Sequence, residues 1–271
     1  LQRQIMISTF NKIRFSKIKY GLYFVFAILL IACAFYNQKI AKKILSIDFI
    51  EQRLSKNIPD KIWLHRCNSK QRLAIFHNKY YGVEIDIIYY DNLKKFESSH
   101  DPEDPESNNL EQIFRYYAEN KLTNKMWLDF KNLSAKNQHE SEEALSKLID
   151  KYGIYQKNII IESKDWRALR YYKDSGYQTS YYFPYYRKEQ LNDVLKKDVE
   201  EILQSGNANY ISFYYEYYNF IKELNIPNEI KLLTWADGSR WHEIAYLNKF
   251  HEIMNDKDLV VILSKETKDW R

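Results

Sequence analysis

Ionisable residues alternate with apolar residues in three short segments of the sequence. Glu84 and Asp86 stand two positions apart in one segment, and Asp129 and Lys131 do so in another. In the third segment, His65 follows the run Ile-Trp-Leu. Residues two positions apart in a β-strand point to the same face, so each segment predicts a strand with an apolar face and an ionisable face. Carboxylates on one buried face repel each other and lose hydration, so they need a positive partner.

The residue types on these faces suit a hard metal ion and a phosphate group. Carboxylate oxygens favour Mg²⁺ or Ca²⁺ over Zn²⁺. Lys131 would place a compact positive charge beside them, which suits a phosphate oxygen. A solvated strand face is the alternative explanation for any one segment, but three successive segments favour a common site.

The chain from residue 61 onward alternates predicted strands with predicted helices. The predicted strands are 61–66, 82–90, 125–131, 158–163, 177–183, 209–214, 229–235 and 259–263. The predicted helices are 69–79, 109–121, 140–152, 166–175, 189–205 and 242–255, with a short turn near 217–224. Eight strands alternating with helices predict an α/β fold, either a (β/α)8 TIM barrel or a doubly wound parallel sheet. The alternation leaves both folds open. In a barrel, the ionisable residues near the strand ends would lie where barrels keep their active sites.

Composition and charge exclude several classes of protein. The net charge is +5, but the 41 Lys and Arg are spread along all 271 residues, so we expect no nucleic-acid partner. Two cysteines exclude a disulfide scaffold and a cysteine-based zinc site. Only 6 glycines are present and no glycine-rich phosphate loop is found. Residues 101–109, rich in Asp, Glu, Pro and Ser, have the composition of a disordered loop.

The amino-terminal part of the sequence predicts a membrane anchor. Residues 20–36 carry no charge, and a run of this length is close to the shortest that spans a bilayer as a helix. The basic residues before this run have no acidic neighbour, which predicts that 1–19 form a cytoplasmic basic segment. Residues 37–60 are expected to form a linker helix, and 61–271 the barrel domain.

Two kinds of anchor remain open at Cys33. The segment Leu30-Ile31-Ala32-Cys33 resembles a bacterial lipobox, whose cysteine is lipidated after cleavage. The alternative is a transmembrane helix in which Cys33 packs among lipid tails. Both place the barrel outside the cytoplasm, in the periplasm or at the cell exterior. Cys67 would then be a lone thiol.

A combination of short motifs resembles the glycerophosphodiester phosphodiesterase superfamily. Members of that superfamily read H-R-G, then E-x-D about twenty residues later, then H-D. The matching segments here are His65-Arg66-Cys67, Glu84-Ile85-Asp86 and His100-Asp101. The segment Leu128-Asp129-Phe130-Lys131 is similar to the sphingomyelinase D branch, and Asn68-Ser69-Lys70 together with this strand is similar to the menorin branch.

The resemblance implies a (β/α)8 TIM barrel, which we take as the predicted fold, with a metal site and a pair of catalytic histidines. A divalent ion, Mg²⁺ or Ca²⁺, would be bound by Glu84, Asp86 and Asp129. His65 and His100 would act as general base and general acid on a phosphodiester. An ordinary histidine pKa near 6.5 lets one imidazole accept a proton and another donate one near neutral pH.

The resemblance also implies substrate contacts, and the sequence departs from the family in places. Arg66 and Lys131 would contact the phosphate, and Trp235 would form the floor of the pocket. Cys67 replaces the family glycine, which puts the class of substrate in doubt. Glu162, at the end of a predicted strand, is an alternative to Asp129 as the third ligand.

Three functional hypotheses follow from these residues. The first is a membrane-anchored phosphoric diester hydrolase acting on a glycerophosphodiester, a lysophospholipid or a surface-glycan phosphodiester. The second is a non-catalytic barrel that binds envelope polysaccharide or lipid. The third is a glycosidase that uses Glu84 and Glu162 as its carboxylate pair. The paired histidines favour the first, and no protein partner is inferred.

Overall fold

The computed structural model describes residues 58–101, 108–236 and 250–265. The predicted basic segment, the apolar run 20–36 with Cys33, and most of the predicted linker helix lie outside these residues. Within the described ranges, no helix is both long enough and apolar enough to cross a membrane. Residues 58–60, the described end of that segment, are not helical, and Pro59 and a turn lead into the first strand.

The described strands form a closed parallel barrel with a short antiparallel extension. In chain order they are β1 (Ile62–Leu64), β2 (Gly82–Tyr90), β3 (Lys95–Ser98), β4 (Asn108–Asn109), β5 (Lys125–Phe130), β6 (Ile159–Ser163), β7 (Gln178–Tyr182), β8 (Tyr210–Tyr214), β9 (Lys231–Trp235) and β10 (Leu259–Ser264). All except β3 and β4 are parallel, and the barrel closes because β1 pairs with both β10 and β2. The predicted TIM barrel is therefore confirmed, and the doubly wound sheet is wrong.

Helices follow most barrel strands and cover the outer face. They are α1 (Lys70–Phe76), α2 (Leu110–Glu119), α3 (Gln138–Tyr152), α4 (Trp166–Asp174), α5 (Asp193–Gln204), α6 (Tyr218–Lys222) and α7 (Phe250–Asn255). Side-chain caps fix several starts: Ser69 accepts from the backbone N–H of Arg72, and Asn192 accepts from that of Leu195. The Asn192 cap explains why α5 begins at 193 rather than at the predicted 189. The predicted helix 242–255 lies within the described residues only from 250.

The strands alternate between an outer and an inner face, as their sequence pattern predicts. Val83, Ile85 and Ile87 are fully buried on the outer face of β2, beneath the helices. The inside of the barrel is filled by a cluster that includes Trp63 and Trp127. A Cβ atom at Gly82 would lie 2.3 Å from the Trp63 ring, so glycine is required where β2 begins against this cluster.

The segment after the second barrel strand differs from the prediction. Instead of a loop alone, β2 continues beyond the barrel and pairs with β3, which in turn pairs with β4. The described end of the predicted disordered loop, 108–109, is strand β4, and the Asn109 side chain caps α2 by accepting from the N–H of Glu111. Sequence patterning misses this extension because β3 and β4 are short and polar.

Candidate active site

The ionisable residues meet in one cavity at the carboxyl ends of the barrel strands. The cavity has a volume of about 510 Å³. Its lining includes every site residue predicted from the sequence: His65, Arg66, Glu84, Asp86, His100, Asp129, Lys131 and Trp235. Active sites of (β/α)8 barrels lie at this end.

Three carboxylates converge on neighbouring strands. Asp86 lies opposite Asp129 in the β2–β5 register, and Glu84 precedes Asp86 by two positions on the same face. One oxygen from each of Glu84, Asp86 and Asp129 can be chosen so that all three lie within 4.8 Å of one another. Glu84 and Asp86 are almost completely buried, at 2% and 1% exposure. The strand parity expected from the sequence accounts for this convergence.

Lys131 is the positive charge beside these carboxylates. Its ammonium group lies 2.6 Å from Asp86 Oδ1 and also contacts Asp129. Although burial alone would lower the pKa of Lys131, the carboxylates Asp129, Asp86 and Glu84 raise it far above the ordinary lysine value. Lys131 is therefore charged and held beside the converging carboxylates by direct ion pairs with Asp86 and Asp129.

The loop after β1 holds two of the carboxylates from the side. Arg66 has a φ of 55°, and in this left-handed conformation its backbone N–H donates to Glu84 Oε2 at 2.7 Å. Asn68 Nδ2 donates to Asp86 Oδ2 at 2.7 Å, and the backbone N–H of Asp86 donates to Asn68 Oδ1 at 2.9 Å. The sequence marks Asn68 only as the start of a helix, so its contact with Asp86 is a finding of the structure.

Burial and neighbouring charges shift the pKa values of the three carboxyl groups in different directions. Burial, with the nearby Asp86 and Asp129, raises the pKa of Glu84 well above its ordinary value. Burial also raises the pKa of Asp129. For Asp86, the effect of burial is outweighed by the Lys131 charge and the Asn68 hydrogen bond, so its pKa is lowered. The metal-free site is therefore short of positive charge at Glu84.

The two histidines approach the cavity from different supports. His65 follows β1, and its Nε2 lies 3.7 Å from Glu84 Oε2. Burial, reinforced by Arg66, lowers the pKa of His65 to about 3, so this imidazole is neutral in the metal-free protein. His100 is exposed and lies just beyond β3, within a turn closed by Ser99, whose hydroxyl donates to the Asp101 carbonyl at 2.7 Å. Although His100 is exposed, the surrounding protein removes part of its hydration, and this desolvation lowers its pKa.

Glu162 is in the cavity but not in the group of converging carboxylates. It is 1% exposed and lies opposite Asp129 in the β5–β6 register. The oxygen group that can share one ion comprises Glu84, Asp86 and Asp129, so the arrangement favours Asp129 over Glu162 as the third ligand. Ser180 Oγ donates to Glu162 Oε2 at 2.8 Å.

An aromatic wall, which we define as Tyr182, Tyr185 and Trp235, forms the other side of the cavity. Tyr182 and Trp235 are nearly parallel, with an interplanar angle of 13° and centroids 6.1 Å apart. Tyr185 meets Trp235 edge-on at 5.3 Å. Lys164 Nζ lies 5.4 Å from the centroid of the Tyr182 ring. Of these residues, the sequence predicts only Trp235 as part of the pocket. Strand alternation also indicates Lys164, two positions after Glu162, and Tyr182, two positions after Ser180, as residues of the cavity lining.

The donor set fits a hard divalent ion. All three converging groups are carboxylates, without sulfur or imidazole among them, which is the chemistry preferred by Mg²⁺ and Ca²⁺. The raised pKa of Glu84 is a second sign of fit, because a bound cation would supply the positive charge that this buried group lacks.

Solved structures share this fold, whereas no family model and no curated protein matches the sequence. A glycerophosphodiester phosphodiesterase from Parabacteroides distasonis is 14% identical, with a TM-score of 0.54, covering 76% of this chain and 92% of that chain. A phosphodiesterase from Oleispira antarctica, solved with the product sn-glycerol-3-phosphate, is 10% identical, with a TM-score of 0.50, covering 74% and 92% respectively. At these identities the likeness establishes the fold, a (β/α)8 barrel like that of these phosphodiesterases.

Proposed function

We propose that this protein is a divalent-metal-dependent phosphoric diester hydrolase. The observation that carries the proposal is the placement of three carboxylates, a half-buried lysine and two histidines around one cavity at the carboxyl ends of the strands. The barrel is also similar to those of solved phosphodiesterases. This similarity favours phosphodiester hydrolysis over the other reactions that such barrels catalyse.

Glu84, Asp86 and Asp129 would hold the ion, Mg²⁺ or Ca²⁺. When bound, such an ion screens the negative charge that builds on the phosphorus oxygens. Lys131 already lies beside two of the ligands, so its ammonium group can contact a phosphate oxygen as well as orient Asp86. The Arg66 guanidinium, 40% exposed and 3.9 Å from Asp86 Oδ2, is placed to meet the phosphate from the open side.

His65 and His100 would move the protons. One imidazole takes the proton of the nucleophile, which is water or a neighbouring substrate hydroxyl, and the other protonates the leaving oxygen. His65 is buried and neutral, with a ring nitrogen, Nδ1, that has no hydrogen-bond partner in the described structure. His100 lies at the exposed rim, where a leaving alcohol departs into solvent.

We further propose that the barrel is anchored to a membrane by residues 20–36 and faces the periplasm or the cell exterior. The support is the uncharged run and the basic residues that precede it. The substrate would be a glycerophosphodiester, a lysophospholipid or a phosphodiester of a surface glycan. The Oleispira antarctica phosphodiesterase, whose barrel is similar, was solved with a glycerol phosphate product.

A substrate screen with controlled metal tests the proposal. The purified full chain is expected to cleave such substrates with Mg²⁺ or Ca²⁺, to a phosphomonoester where water attacks or to a cyclic phosphate where a substrate hydroxyl attacks, and to lose this activity in excess chelator. Asp86→Asn should weaken metal binding and activity together, whereas Asp91→Asn, at an exposed position away from the cavity, should change neither. Full activity in chelator, with no metal retained, would overturn metal dependence.

A non-catalytic barrel that binds envelope polysaccharide or lipid is the second candidate. The aromatic wall favours it, because aromatic faces bind such ligands without any need for histidines or metal. This candidate would be favoured by two results together. The protein would bind polysaccharide or lipid saturably, both in excess chelator and as the His100→Ala variant, and it would turn over none of the diesters.

A further inference from the structure

Glu162 is a buried carboxyl group that the proposed phosphodiester chemistry leaves unused. Its side chain lines the cavity at 1% exposure. Lys131, the half-buried cation of the site, pairs with Asp86 and Asp129 instead. Ser180 supplies one hydrogen bond, at 2.8 Å, to one of the two carboxyl oxygens, and the Ser212 hydroxyl is a second neighbouring hydrogen-bonding group. Burying a carboxyl group in this way is costly unless its remaining hydrogen-bonding capacity is used.

The surroundings of Glu162 differ from those of the metal-binding carboxylates. Lys164 lies just after β6, two positions beyond Glu162. Its ammonium group is 5.4 Å from the centroid of the Tyr182 ring. Trp235 and Tyr185 continue the wall, and Tyr185 is 52% exposed at its outer end. A substrate that reaches from the phosphate position toward these residues meets the aromatic rings of the wall together with the carboxyl group of Glu162 and the ammonium group of Lys164.

This combination matches the surface of a sugar ring. A pyranose has faces of C–H groups, which pack on aromatic rings, and an edge of hydroxyl groups, which need donors and acceptors. We infer that the side of the cavity formed by Glu162 and the aromatic wall binds a sugar carried by the alcohol part of the substrate, with Glu162 hydrogen-bonded to one of its hydroxyls. The inference rests on the proposed function and narrows it to sugar phosphodiesters.

The same residues argue against a lipid chain on this side. An acyl chain would place the ammonium group of Lys164 and the carboxyl group of Glu162, which Ser180 satisfies only in part, in contact with hydrocarbon, which is unfavourable. A ligand with several hydroxyls satisfies both groups. Glu162 would thus be a specificity-determining residue, separate from the three metal ligands.

The test compares a diester that carries a sugar with one that does not. Glycerophosphoglucose and glycerophosphoethanolamine share a glycerol phosphate and differ in the second alcohol. Glu162→Met removes the polar group at similar length and is expected to lower kcat/KM for the glucose diester about 10- to 100-fold, the usual effect of losing a strong buried hydrogen bond. The ethanolamine diester should change little. Glu162→Gln retains an accepting oxygen and should recover part of the loss.

Two further variants guard against a general effect on folding. Tyr185→Ala alters an exposed side chain and should raise KM for the glucose diester alone. Glu201→Gln, on the exposed face of α5, is the matched control and should change neither substrate. Mg²⁺ affinity measured by calorimetry should be the same for Glu162→Met and the wild type.

Each contrary result has a distinct meaning. Equal losses on both diesters, a tenfold or greater loss of Mg²⁺ affinity in Glu162→Met, or a wild-type preference for lysophosphatidylcholine would overturn the sugar assignment alone. A wild-type protein with metal bound that turns over none of these diesters would overturn the proposed phosphodiesterase function, and the sugar assignment with it.

Discussion

Individual charges in the cavity are out of balance without a bound cation. The lining contains four carboxyl groups and three basic side chains, of which Lys131 alone makes close ion pairs with these carboxylates; the carboxyl groups are Glu84, Asp86, Asp129 and Glu162, and the other two bases are Arg66 and Lys164. Lys131 and Asn68 favour the charged form of Asp86, whereas burial and the neighbouring carboxylates raise the pKa of Glu84. The charge deficit is thus concentrated at Glu84, which is the position where it can be measured.

The first prediction concerns the pH dependence of stability in chelator. Because the pKa of Glu84 is higher in the folded than in the unfolded chain, the unfolded state ionises first as pH rises above about 4.3, and the folded state loses relative stability from there upward. Glu84→Gln removes that loss. We expect its Tm to exceed that of the wild type by about 2 °C or more at pH 8, which for this size is about 1 kcal/mol, with little difference at pH 4.

Scanning calorimetry of the two proteins across this pH range provides the measurement. Saturating Mg²⁺ should stabilise the wild type more than Glu84→Gln, since only the former has the complete carboxylate set. A Tm difference that does not vary with pH would show that Glu84 carries no charge penalty in the folded protein.

The second prediction concerns the histidines. His65→Ala and His100→Ala should each reduce kcat about 10²- to 10⁴-fold on a verified diester with metal saturating. The double variant should lose less than the product of the two, because groups that act on the same step are not additive. His139→Ala is the control, since this exposed histidine packs on Tyr171 far from the cavity lining. Wild-type turnover by His100→Ala would exclude the proposed role of that histidine.

Among the structural elements, the loop between β1 and α1 acts as a support for the carboxylates. Asn68 joins this loop to β2 by two hydrogen bonds to Asp86, at 2.7 and 2.9 Å. Asn132, after β5, makes a similar pair of bonds to the backbone of Tyr89, at 3.0 and 2.8 Å. The two asparagines have the same bonding pattern, but only Asn68 touches a site carboxylate.

This pairing gives the third prediction. Asn68→Ala should weaken Mg²⁺ binding about 10- to 100-fold, as is usual when a group that orients a ligand is removed. Asn132→Ala should lower thermal stability but leave Mg²⁺ affinity unchanged. Isothermal titration with Mg²⁺ on both variants makes the comparison, and equal affinities for Asn68→Ala and the wild type would contradict the supporting role of Asn68.

The elements also divide into those that a sequence reveals and those that it does not. Strand parity at Glu84, Asp86 and Asp129 predicts the convergence of the carboxylates, because alternation along a strand is a local property. The β3–β4 extension depends on pairing between segments without strong strand patterns. The contact between Asn68 and Asp86 joins positions 18 residues apart and has no periodic signal. Such contacts appear only once the barrel has brought the loop and the strand together.

For the whole molecule, the proposed anchor determines where the barrel resides. The fourth prediction is that the full chain fractionates with membranes and stays there through a high-salt wash, as the proposed insertion of the run 20–36 into the hydrocarbon requires. A reporter fused after residue 50 should be active only outside the cytoplasm. Activity restricted to the cytoplasm would reverse the proposed orientation, and altered processing of Cys33→Ser would identify a lipoprotein.

The buried thiol of Cys67 provides an internal standard for measuring whether Cys33, in the proposed anchor, is modified. The thiol is fully buried, and burial raises its pKa to about 12, so it is protonated and inaccessible while the barrel is folded. The only other sulfhydryl that the sequence can offer is Cys33. Maleimide labelling of the native protein in mild detergent therefore counts free Cys33 alone, and labelling after denaturation adds Cys67 as an internal standard. A ratio of native to denatured labelling near one half indicates an unmodified Cys33, and a ratio near zero indicates a blocked Cys33. The measurement needs no engineered cysteine.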